Sequence, residues 1–318
     1  MKKLTIAIDA MGGDNGPAVM VKGAAMAMQS HPFLEPVLFG DENILMPLCK
    51  NHTGIKIIHA PSVIDPGEVP TMAVRRKKDS SIVMGLKFVK EGNAAGFVSA
   101  GSTGALLTGA TIIIGRKPGV ERPALGTMLP TKTGHLLLLD CGANMDCKPS
   151  YLAGFAALGA EYMQKCMKLK SPRVGLINVG AEDEKGNAAA KEAFQLLNAV
   201  QSAEYVFAGN IEGREILSGE IDVAVCDGFT GNILLKFAEG FAKTMMGMVK
   251  EELLATVISK IGAILAKGAF ARLKTRFDYR EVGGAPFLGL KQIVIKAHGS
   301  SDELAIKNAI RQCIEYNN

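Results

Sequence analysis

The stretch IAIDAMGGDNGP, residues 6–17, joins an alternating apolar run to a glycine-rich loop and then to an Ala/Met-rich segment. An apolar run that ends at Asp9 is typical of a strand, and the segment that begins at Pro17 is typical of a helix. Gly12 and Gly13 provide flexible backbone beside the helix start, where free N–H groups can receive an anion. The stretch has neither the G-x-G-x-x-G spacing of dinucleotide-binding folds nor the lysine of a P-loop. It predicts a site for a small anion rather than for a nucleotide.

Short β-rich runs alternate with Ala-rich helical patterns along the whole chain of 318 residues. This alternation is typical of a doubly wound α/β sheet, and helical apolar spacing is clear at 151–165 and 188–200. No low-complexity linker or repeat divides the chain, so we expect a single large α/β domain over residues 1–318. The predicted strands are LTIAID (4–9), EPVLFG (35–40), IKIIHA (55–60), AGFVSA (95–100), HLLLLD (135–140), RVGLINVG (173–180), AEYVFAG (203–209) and IDVAVCD (221–227).

Composition indicates an ordinary globular protein. Hydrophobic residues make up 48% of the chain, which is enough for a substantial core. No run of about 20 uncharged apolar residues is present, so we expect no membrane-spanning helix. The start MKKLTIAIDA resembles the basic region of a signal peptide, but Asp9 interrupts its apolar run, and we interpret it as the first strand.

Charge and cysteine spacing exclude further classes of protein. The net charge of +5 comes without a basic run interleaved with aromatic residues, so we expect no nucleic-acid partner. The six cysteines have the spacing of neither a zinc site nor a C-x-x-C redox site. They indicate reduced thiols in a cytoplasm.

Glycine-rich polar loops follow most of the predicted strands. The carboxyl ends of parallel strands meet at one edge of an open sheet, and helix N-termini there point N–H groups at the same space. One such loop alone is more often a plain turn with a helix-capping side chain. Several loops of this composition exceed what turns require, so we expect them to converge on a ligand. The loops are AMGGDNG (10–16), SAGSTG (99–104), DCGANMDCKP (140–149), NVGAEDEKGN (178–187), AGNIEG (208–213) and DGFTGN (227–232).

A set of short motifs, spread in order over essentially the whole chain, carries a family resemblance. The motifs are MGGD (11–14), SAGSTGA (99–105), RPA (122–124), GAN (142–144), KGN (185–187), GNIEG (209–213), DGFTGN (227–232), GGAPFLG (283–289) and KAHGSS (296–301). Together they resemble the phosphate acyltransferase family PlsX, with Ser102 where Asn is expected and Cys141 where Val is expected. The resemblance implies a three-layer α/β/α sandwich with a mostly parallel sheet, similar to isocitrate and isopropylmalate dehydrogenases and to phosphotransacetylases.

The resemblance also implies a reaction, in which a fatty acyl group passes from acyl carrier protein to inorganic phosphate. Phosphate is partly a dianion at neutral pH and needs positioning more than deprotonation. We therefore expect no covalent acyl-enzyme, no cofactor and no metal. The site must supply N–H and cationic donors for phosphate and for the oxyanion that forms on the thioester carbonyl. The loop at 101–104 is the predicted backbone cradle.

Candidate site residues lie within these motifs. The predicted catalytic set is His298, Lys185, Arg122, Asn144, Asp227 and Asn232. The predicted phosphate- and substrate-binding set is Asp9, Gly12, Gly13, Asp14, Ser99, Gly101, Ser102, Thr103, Gly104 and Ser300. We expect His298→Ala and Lys185→Ala each to lower turnover strongly.

Several candidates have structural alternatives. A histidine in such a loop is as often structural as catalytic, which applies to His298. Lys185 stands beside three acidic residues, and most charge runs of this kind are solvated surface. Cys147 offers a thiol nucleophile, but direct attack by phosphate makes a thiol redundant.

The aspartates are expected to act on other side chains. A carboxylate repels phosphate unless it is protonated or bridged by a cation. Asp9 and Asp227 are therefore expected to orient lysine or asparagine donors such as Asn144 and Asn232. Asp140 is expected to hold its loop through N–H contacts.

Two basic segments bear on partners. VRRKKDSS (74–81) carries four cations before a predicted helix and suits an acidic carrier protein, although an exposed basic loop would have the same composition. Residues 253–277 contain five cations and no acidic residue. With glycines at 262 and 268 this segment is expected to form a short helical hairpin, within a protruding amphipathic region at about 240–280, that suits an anionic lipid surface.

One face of that segment is apolar, with period-3.6 spacing. The predicted membrane-contacting residues are Leu254, Ile258, Ile261, Ile264 and Leu265. A dimer interface is the alternative use of the same helices. Both uses can hold, because the family resemblance implies a homodimer that attaches peripherally to the membrane.

We therefore predict a cytoplasmic enzyme at the inner face of the cell membrane. Its expected partners are acyl carrier protein, inorganic phosphate, a second copy of the chain and the downstream glycerol-3-phosphate acyltransferase. The rival enzyme is a phosphotransacetylase that acts on coenzyme A thioesters. A non-catalytic membrane-associated scaffold for lipid-synthesis enzymes would not need the polar strand-end loops, and a hydride-transfer dehydrogenase would need the missing nucleotide fingerprint.

Overall fold

The structure is a computed structural model that describes residues 3–200 and 202–318. Strands and helices alternate over most of this range. The strands are β1 (Leu4–Asp9), β2 (Leu34–Gly40), β3 (Lys56–His59), β4 (Gly96–Ser99), β5 (Ala124–Pro130), β6 (His135–Leu139), β7 (Arg173–Asn178), β8 (Val206–Glu212), β9 (Val223–Val225), β10 (Gly284–Leu288) and β11 (Ile293–Ala297). The helices are α1 (Pro17–Ser30), α2 (Glu42–Cys49), α3 (Pro70–Arg76), α4 (Ser81–Lys90), α5 (Thr103–Ile113), α6 (Pro149–Met167), α7 (Ala188–Ala199), α8 (Gly228–Ala255), α9 (Val257–Leu265), α10 (Lys267–Arg276), α11 (Tyr279–Val282) and α12 (Glu303–Asn317).

The described strands form one sheet that helices cover on both faces. The side chains of Ile6 and Ile8 lie in a buried cluster with α1, α6, α7 and α12. Ala7, between them in the strand, lies in a second cluster with α3, α4 and α5 on the opposite face, where α8 covers the β6 half of the sheet. Alternation within the strands thus places apolar side chains in both inter-layer spaces. The α/β/α sandwich that the sequence predicted is confirmed.

The sheet reverses direction in its middle. The strand order is β3-β2-β1-β4-β11-β10-β5-β6-β9-β7-β8. Among the described strands, every pairing is parallel except the three that involve β5 or β10. Strands β1 to β4 and β11 therefore run one way, and β6 to β9 run the opposite way.

This reversal corrects one expectation from the sequence. The loops after β1, β4 and β11 lie at one edge of the sheet, which we term the amino-half edge. The loops after β6, β7, β8 and β9 lie at the opposite edge, which we term the central edge. The polar strand-end loops therefore do not all converge, because β5 and β10, which the sequence interpretation did not identify, turn the direction of the sheet.

All of the predicted strands are present, and the predicted helices at 151–165 and 188–200 are α6 and α7. The loop predicted at 208–213 is wrong for residues 208–212. These residues continue β8, because Asn210 and Ile211 pair with Leu176 and Ile177 of β7. Strands β5, β10 and β11 were missed.

The segment after β9 begins with the 28-residue helix α8 and continues as two short helices. Thr256 ends α8 and starts α9, where its side chain and that of Ser259 form a reciprocal capping box. This break corrects the expectation of one continuous apolar face, because Leu254 belongs to α8 while Ile258, Ile261 and Leu265 belong to α9. The turn to α10 lies at Ala266, and both glycines lie inside helices rather than at the turn.

The apolar side chains of α9 face solvent in the single chain. Ile258 is 84% exposed, Ile264 is 72% exposed and Leu265 is 84% exposed. Within the described residues, no helix has the length and apolar character needed to cross a membrane.

Candidate active site

A cavity of about 540 Å³ lies at the central edge, between α5, the loop before β5 and the loop after β6. We term it the arginine cavity. Two guanidinium groups and one carboxylate contribute its charged walls. A guanidinium group presents a planar set of donors that matches carboxylate or phosphate oxygens, so the cavity suits an oxyanion. Its lining residues are Leu107, Thr111, Arg116, Glu121, Arg122, Pro123, Ala143, Asn144 and Tyr151.

Aromatic and backbone contacts position the cations. The guanidinium carbon of Arg122 lies 5.9 Å from the ring centroid of Tyr151, and the Lys148 ammonium lies 6.0 Å from the same centroid. Arg116 donates a hydrogen bond to the backbone carbonyl of Glu121. The ring of Tyr151 therefore attracts two cations to one side of the cavity.

Asp140 lies beneath the arginine cavity and is fully buried. Its Oδ1 accepts hydrogen bonds from the backbone N–H groups of Leu125 (3.1 Å) and Ala143 (3.0 Å). Its Oδ2 accepts from the backbone N–H of Asn144 (2.8 Å) and from that residue's Nδ2 (2.7 Å). Burial raises the pKa of Asp140, and the four donors oppose the rise. The carboxylate joins β5 to the loop after β6 and fixes the Asn144 side chain.

Asp227 has a different role from the one expected. Its Oδ1 accepts from the backbone N–H of Thr230 at 2.7 Å, and its Oδ2 accepts from that residue's hydroxyl at 3.1 Å. It is therefore the N-cap of α8. The expectation that Asp227 orients Asn144 is wrong, because Asp140 holds that amide. Asn232 lies one turn along α8 and faces Gly142. A Cβ atom added to Gly142 would lie 3.8 Å from the Cβ atom of Asn232.

The thiol of Cys147 lies beside this loop but is not activated. Its Sγ donates to the backbone carbonyl of Asn144 at 3.5 Å. Burial raises the pKa of Cys147 to about 12, and Asp140 and Asp227 add to the rise. The thiolate is the nucleophilic form, so this thiol is inert at neutral pH.

The amino-half edge contains a second polar group at the ends of β1 and β4. Asp9 is 1% exposed and Ser99 is 0% exposed. The Ser99 hydroxyl donates to Asp9 Oδ2 at 2.6 Å, and Asp9 Oδ1 accepts from the backbone N–H groups of Met11 (3.1 Å) and Gly12 (3.2 Å). Asp9 therefore shapes the first glycine loop.

Lys296 joins this group, and the sequence interpretation did not select it. It pairs in register with Ser99 on the neighbouring strand β4. Its ammonium donates to the backbone carbonyls of Ala100 (3.1 Å) and Ala297. Burial lowers its pKa from the ordinary value of 10.5 to about 8, and Asp9 and Asp14 oppose the fall. The available signal was a lysine at the end of the otherwise apolar run IVIKA, within the KAHGSS motif.

Neighbouring backbone packs closely around Gly12 and Gly13 of the predicted phosphate-binding set. An added Cβ on Gly12 would lie 2.5 Å from Asp9 Oδ2 and 2.5 Å from the Gly101 nitrogen. Gly13 has a φ of +94°, which favours glycine. Asp14 donates its backbone N–H to the Gly299 carbonyl at 2.7 Å. The loops after β1, β4 and β11 therefore support one another directly.

The remaining predicted residues at this edge cap helices or turns. Ser102 is the N-cap of α5, whose first turn contains Thr103 and Gly104. Ser300 donates its backbone N–H to Nδ1 of His298 at 3.2 Å, and its hydroxyl lies 2.8 Å from the same nitrogen. None of these residues lines the arginine cavity.

Lys185 lies at the central edge but outside the arginine cavity. Its side chain is exposed, and its backbone carbonyl accepts from Nδ2 of Asn178 at 3.0 Å. The buried amide of Asn210 donates to the carbonyl of Glu182 at 2.9 Å and ties the same loop to β8. Of the predicted catalytic set, the structure places Arg122 and Asn144 in the cavity wall, with Asp227 and Asn232 on α8 nearby and His298 at the other edge.

Comparison with known proteins decides the family. The family model described as "Fatty acid synthesis protein" matches residues 4–318. The phosphate acyltransferase of Clostridium beijerinckii is 48% identical over 314 residues, which cover 97% of this chain and 94% of the relative. That of Thermoanaerobacter pseudethanolicus is 46% identical over 309 residues, covering 97% and 92%.

The chain belongs to the phosphate acyltransferase family. Solved structures agree with the fold at lower identity. A phosphotransacetylase, EutD, from Staphylococcus aureus superposes with a TM-score of 0.67 at 18% identity, covering 99% of this chain and 94% of the other. A phosphotransacetylase from Streptococcus pyogenes gives a TM-score of 0.66 at 20% identity, covering 99% and 95%. These two likenesses concern the fold alone.

For a phosphate acyltransferase, the arginine cavity offers the required chemistry in one place. Guanidinium donors can hold phosphate and offset the negative charge that builds up when phosphate approaches a thioester carbonyl. The carboxylate of Asp140 and the ring of Tyr151 hold the side chains of the cavity wall in place. Such a preorganised set of donors needs little rearrangement during the reaction.

A second cavity, of about 910 Å³, lies between α8 on one side and α6 and α12 on the other. Its lining is mostly apolar and includes Phe237, Phe241 and Met245. These three side chains also belong to an exposed stripe along α8. This cavity is therefore continuous with an uncovered helix face.

Proposed function

We propose that the chain transfers a fatty acyl group from acyl carrier protein to inorganic phosphate, and that the acyl phosphate serves phosphatidic acid and phospholipid synthesis. Membership in the phosphate acyltransferase family supports acyl transfer to phosphate. The observation that carries the proposal is the cavity of about 540 Å³ in which Arg116 and Arg122 converge. A site of this kind needs neither a nucleotide fingerprint nor a covalent intermediate.

The proposed reaction is a direct displacement. An oxygen of phosphate forms a bond to the thioester carbonyl carbon, and the carbon–sulfur bond breaks to release the carrier thiol. Holding the two reactants in one cavity replaces an encounter in solution, which lowers the barrier by several kcal/mol. Arg116 and Arg122 reduce the repulsion between phosphate and the developing oxyanion.

The glycine loops at the amino-half edge remain a proposed substrate-binding region. Asp9, Gly12, Gly13, Asp14, Ser99 and the 101–104 loop form a connected surface there, with Lys296 as its buried cation. The alternative proposal keeps His298 and Lys185, which lie outside the arginine cavity, as the catalytic residues. A site at the central edge and a site at the amino-half edge predict different effects of single substitutions on the rate.

The proposed acyl donor can be tested by one assay. Purified chain is incubated with long-chain acyl-acyl carrier protein or the matched acyl-coenzyme A, with and without phosphate and without added ATP, NAD or metal. We expect acyl phosphate and free carrier thiol to form only with phosphate, and faster with the carrier protein. Preference for coenzyme A would favour the phosphotransacetylase alternative, and no loss of either thioester would favour the scaffold. A strict need for ATP, NAD or metal would contradict the proposal.

A homodimer is proposed through α8. Its exposed apolar side chains recur every three or four residues and form the stripe Phe229, Ile233, Phe237, Phe241, Met245 and Met248. The rings of Phe237 and Phe241 stack at 5.8 Å and extend the flat surface. Such a large uncovered apolar stripe is typical of an interface between proteins.

Peripheral membrane attachment is proposed through α9, at the inner face of the cell membrane in the cytoplasm. Exposed apolar side chains and cations without acidic residues occupy the same segment, and both strengthen interfacial binding. Attachment there would bring the acyl phosphate close to the proposed downstream partner, the glycerol-3-phosphate acyltransferase.

Docking of an acidic carrier protein is proposed at the basic patch formed by the last turn of α3 and the loop that leads to α4. Arg75, Arg76 and Lys78 are exposed there. Lys77 is instead paired with Glu68 at 2.7 Å. The patch thus presents three of its four cations to a partner, which would speed association at low salt.

A further inference from the structure

The amide of Asn144 has a defined orientation. Its Nδ2 donates to the backbone carbonyl of Pro123 at 2.8 Å and to Oδ2 of Asp140 at 2.7 Å. An amide nitrogen has two hydrogens, so both are used. The reversed orientation would place Oδ1 against two acceptors and would leave both without a donor. The nitrogen therefore points into the protein.

The backbone of Asn144 is engaged in the same way. Its N–H donates to Asp140 at 2.8 Å, and its carbonyl accepts the N–H of Gly228 at 2.7 Å. Asn144 nevertheless lines the arginine cavity. The polar atom that it has left for a ligand is Oδ1, which is an acceptor and has no hydrogen to give.

An acceptor beside two guanidinium groups discriminates among oxyanions. The arginines bind any tetrahedral anion, because each presents several N–H donors. An oxygen that carries no proton would face Oδ1 lone pair to lone pair, and its desolvation would be uncompensated. An oxygen that carries a proton can donate to Oδ1. At neutral pH hydrogen phosphate has such an oxygen, whereas sulfate has none.

We propose that Asn144 Oδ1 accepts a hydrogen bond from the P–OH group of bound phosphate and makes the arginine cavity selective for a protonated tetrahedral oxyanion. This inference rests on the proposed function, since it assigns the phosphate of that reaction to this cavity. It reverses the donor role expected for Asn144 from the sequence. Asn144 is then a specificity-determining residue, and Asp140 and the Pro123 carbonyl are the groups that fix its orientation.

The experiment measures how sulfate and monofluorophosphate compete with phosphate. Monofluorophosphate replaces the P–OH of phosphate by fluorine, so it keeps the shape and charge and loses the donor. Acyl phosphate formation is followed in the wild type, in Asn144→Ala and in three controls, Glu121→Met, Thr111→Val and Tyr151→Phe, which remove the other acceptor side chains from the described cavity wall. Direct titration of each variant with the three anions gives binding without turnover.

In the wild type we expect phosphate to bind at least about tenfold more tightly than either competitor, which corresponds to one hydrogen bond to a charged group. Asn144→Ala should reduce the ratio of phosphate affinity to competitor affinity to nearly one, and the three controls should each retain the preference. If Asn144→Ala does not fold, retention of the preference in all three controls supports the inference, because Asn144 is then the remaining acceptor side chain among the described lining residues.

Two results would overturn the inference while the proposed function stands. One is acyl transfer in a wild type that binds sulfate or monofluorophosphate as tightly as phosphate. The other is loss of the preference in one of the three controls but not in Asn144→Ala. A wild type that binds no phosphate and makes no acyl phosphate would instead remove the proposed function, and the inference with it.

Discussion

The ammonium group of Lys296 is held at the ends of neighbouring strands, where it satisfies the carbonyls of Ala100 and Ala297 and faces Asp9 and Asp14. Its depressed pKa reflects burial that the two carboxylates only partly offset. A lysine in this position stiffens the ends of β4 and β11, because its ammonium joins Ala100, the first residue after β4, to Ala297, the last residue of β11. The positive charge of Lys296 therefore helps to fix the positions at which the glycine loops begin.

This environment predicts a pH dependence of stability. The pKa of Lys296 is about 8 in the folded chain and 10.5 ordinarily, so the unfolded chain binds more protons between these values. The free energy of unfolding should therefore gain a contribution from Lys296 as pH rises from about 8 to 10.5. Denaturant unfolding at several pH values, compared between the wild type and Lys296→Met, should show a steeper rise in the wild type. Parallel pH profiles would show that Lys296 titrates normally.

At the scale of the element, α9 is a short helix whose apolar side chains are largely exposed in the described structure. Its capping box fixes its start, so its direction differs from that of α8. Lys260 on α9 and Lys267 at the start of α10 are exposed beside this face. An element with this composition is typical of a helix that lies in a lipid interface.

We predict that the protein sediments with anionic vesicles and that a triple variant of α9 does not. The variant is Ile261→Gln, Ile264→Gln and Leu265→Gln. Each substitution removes an apolar side chain that would be buried in the lipid interface. The cations are kept in the variant, and each contributes about 1 kcal/mol to the binding free energy near an anionic surface. High salt should weaken wild-type binding only in part, because the apolar contribution is not screened. Acyl transfer from soluble carrier protein should survive.

A matched control replaces three exposed apolar side chains elsewhere. Ile44→Gln, Met46→Gln and Val69→Gln should leave vesicle binding unchanged. If the wild type ignored vesicles and the α9 variant became monomeric or unfolded, α9 would be an interface or core element. The membrane proposal would then be wrong.

At the scale of the whole molecule, the alternation of strands and helices was predictable because each run carried its own period. The direction of the sheet was not. Strands β5 and β10 each contain a proline, and Pro130 and Pro286 weaken a strand pattern read from sequence alone. Strands β5 and β10 reverse the direction of the sheet. Because the sequence pattern did not indicate these strands, all of the polar loops were expected at one edge.

For the candidate site, the sequence likewise identified individual residues but not their arrangement in space. Arg122 and Asn144 were found through the RPA and GAN motifs, and their place in one cavity needed the Pro123–Asn144 and Asp140–Asn144 hydrogen bonds. The first contact joins the loop after β6 to the loop before β5, the second is local to the loop after β6, and neither leaves a periodic trace in the sequence. The donor role expected of Asn144 and the role expected of Asp227 both depended on such contacts.

The reversal of the sheet also supplies the decisive test of the account, since its central claim is that phosphate is acylated in the arginine cavity. Acyl phosphate formation should be measured in Arg122→Ala at the central edge and in His298→Ala at the amino-half edge, with folding checked for both. Loss of a preorganised donor to the reacting oxyanion costs roughly 100- to 1000-fold in kcat. We predict a loss of this size for Arg122→Ala and a much smaller one for His298→Ala. A near-normal rate in Arg122→Ala together with a collapse in His298→Ala would contradict it and would place the chemistry at the glycine loops.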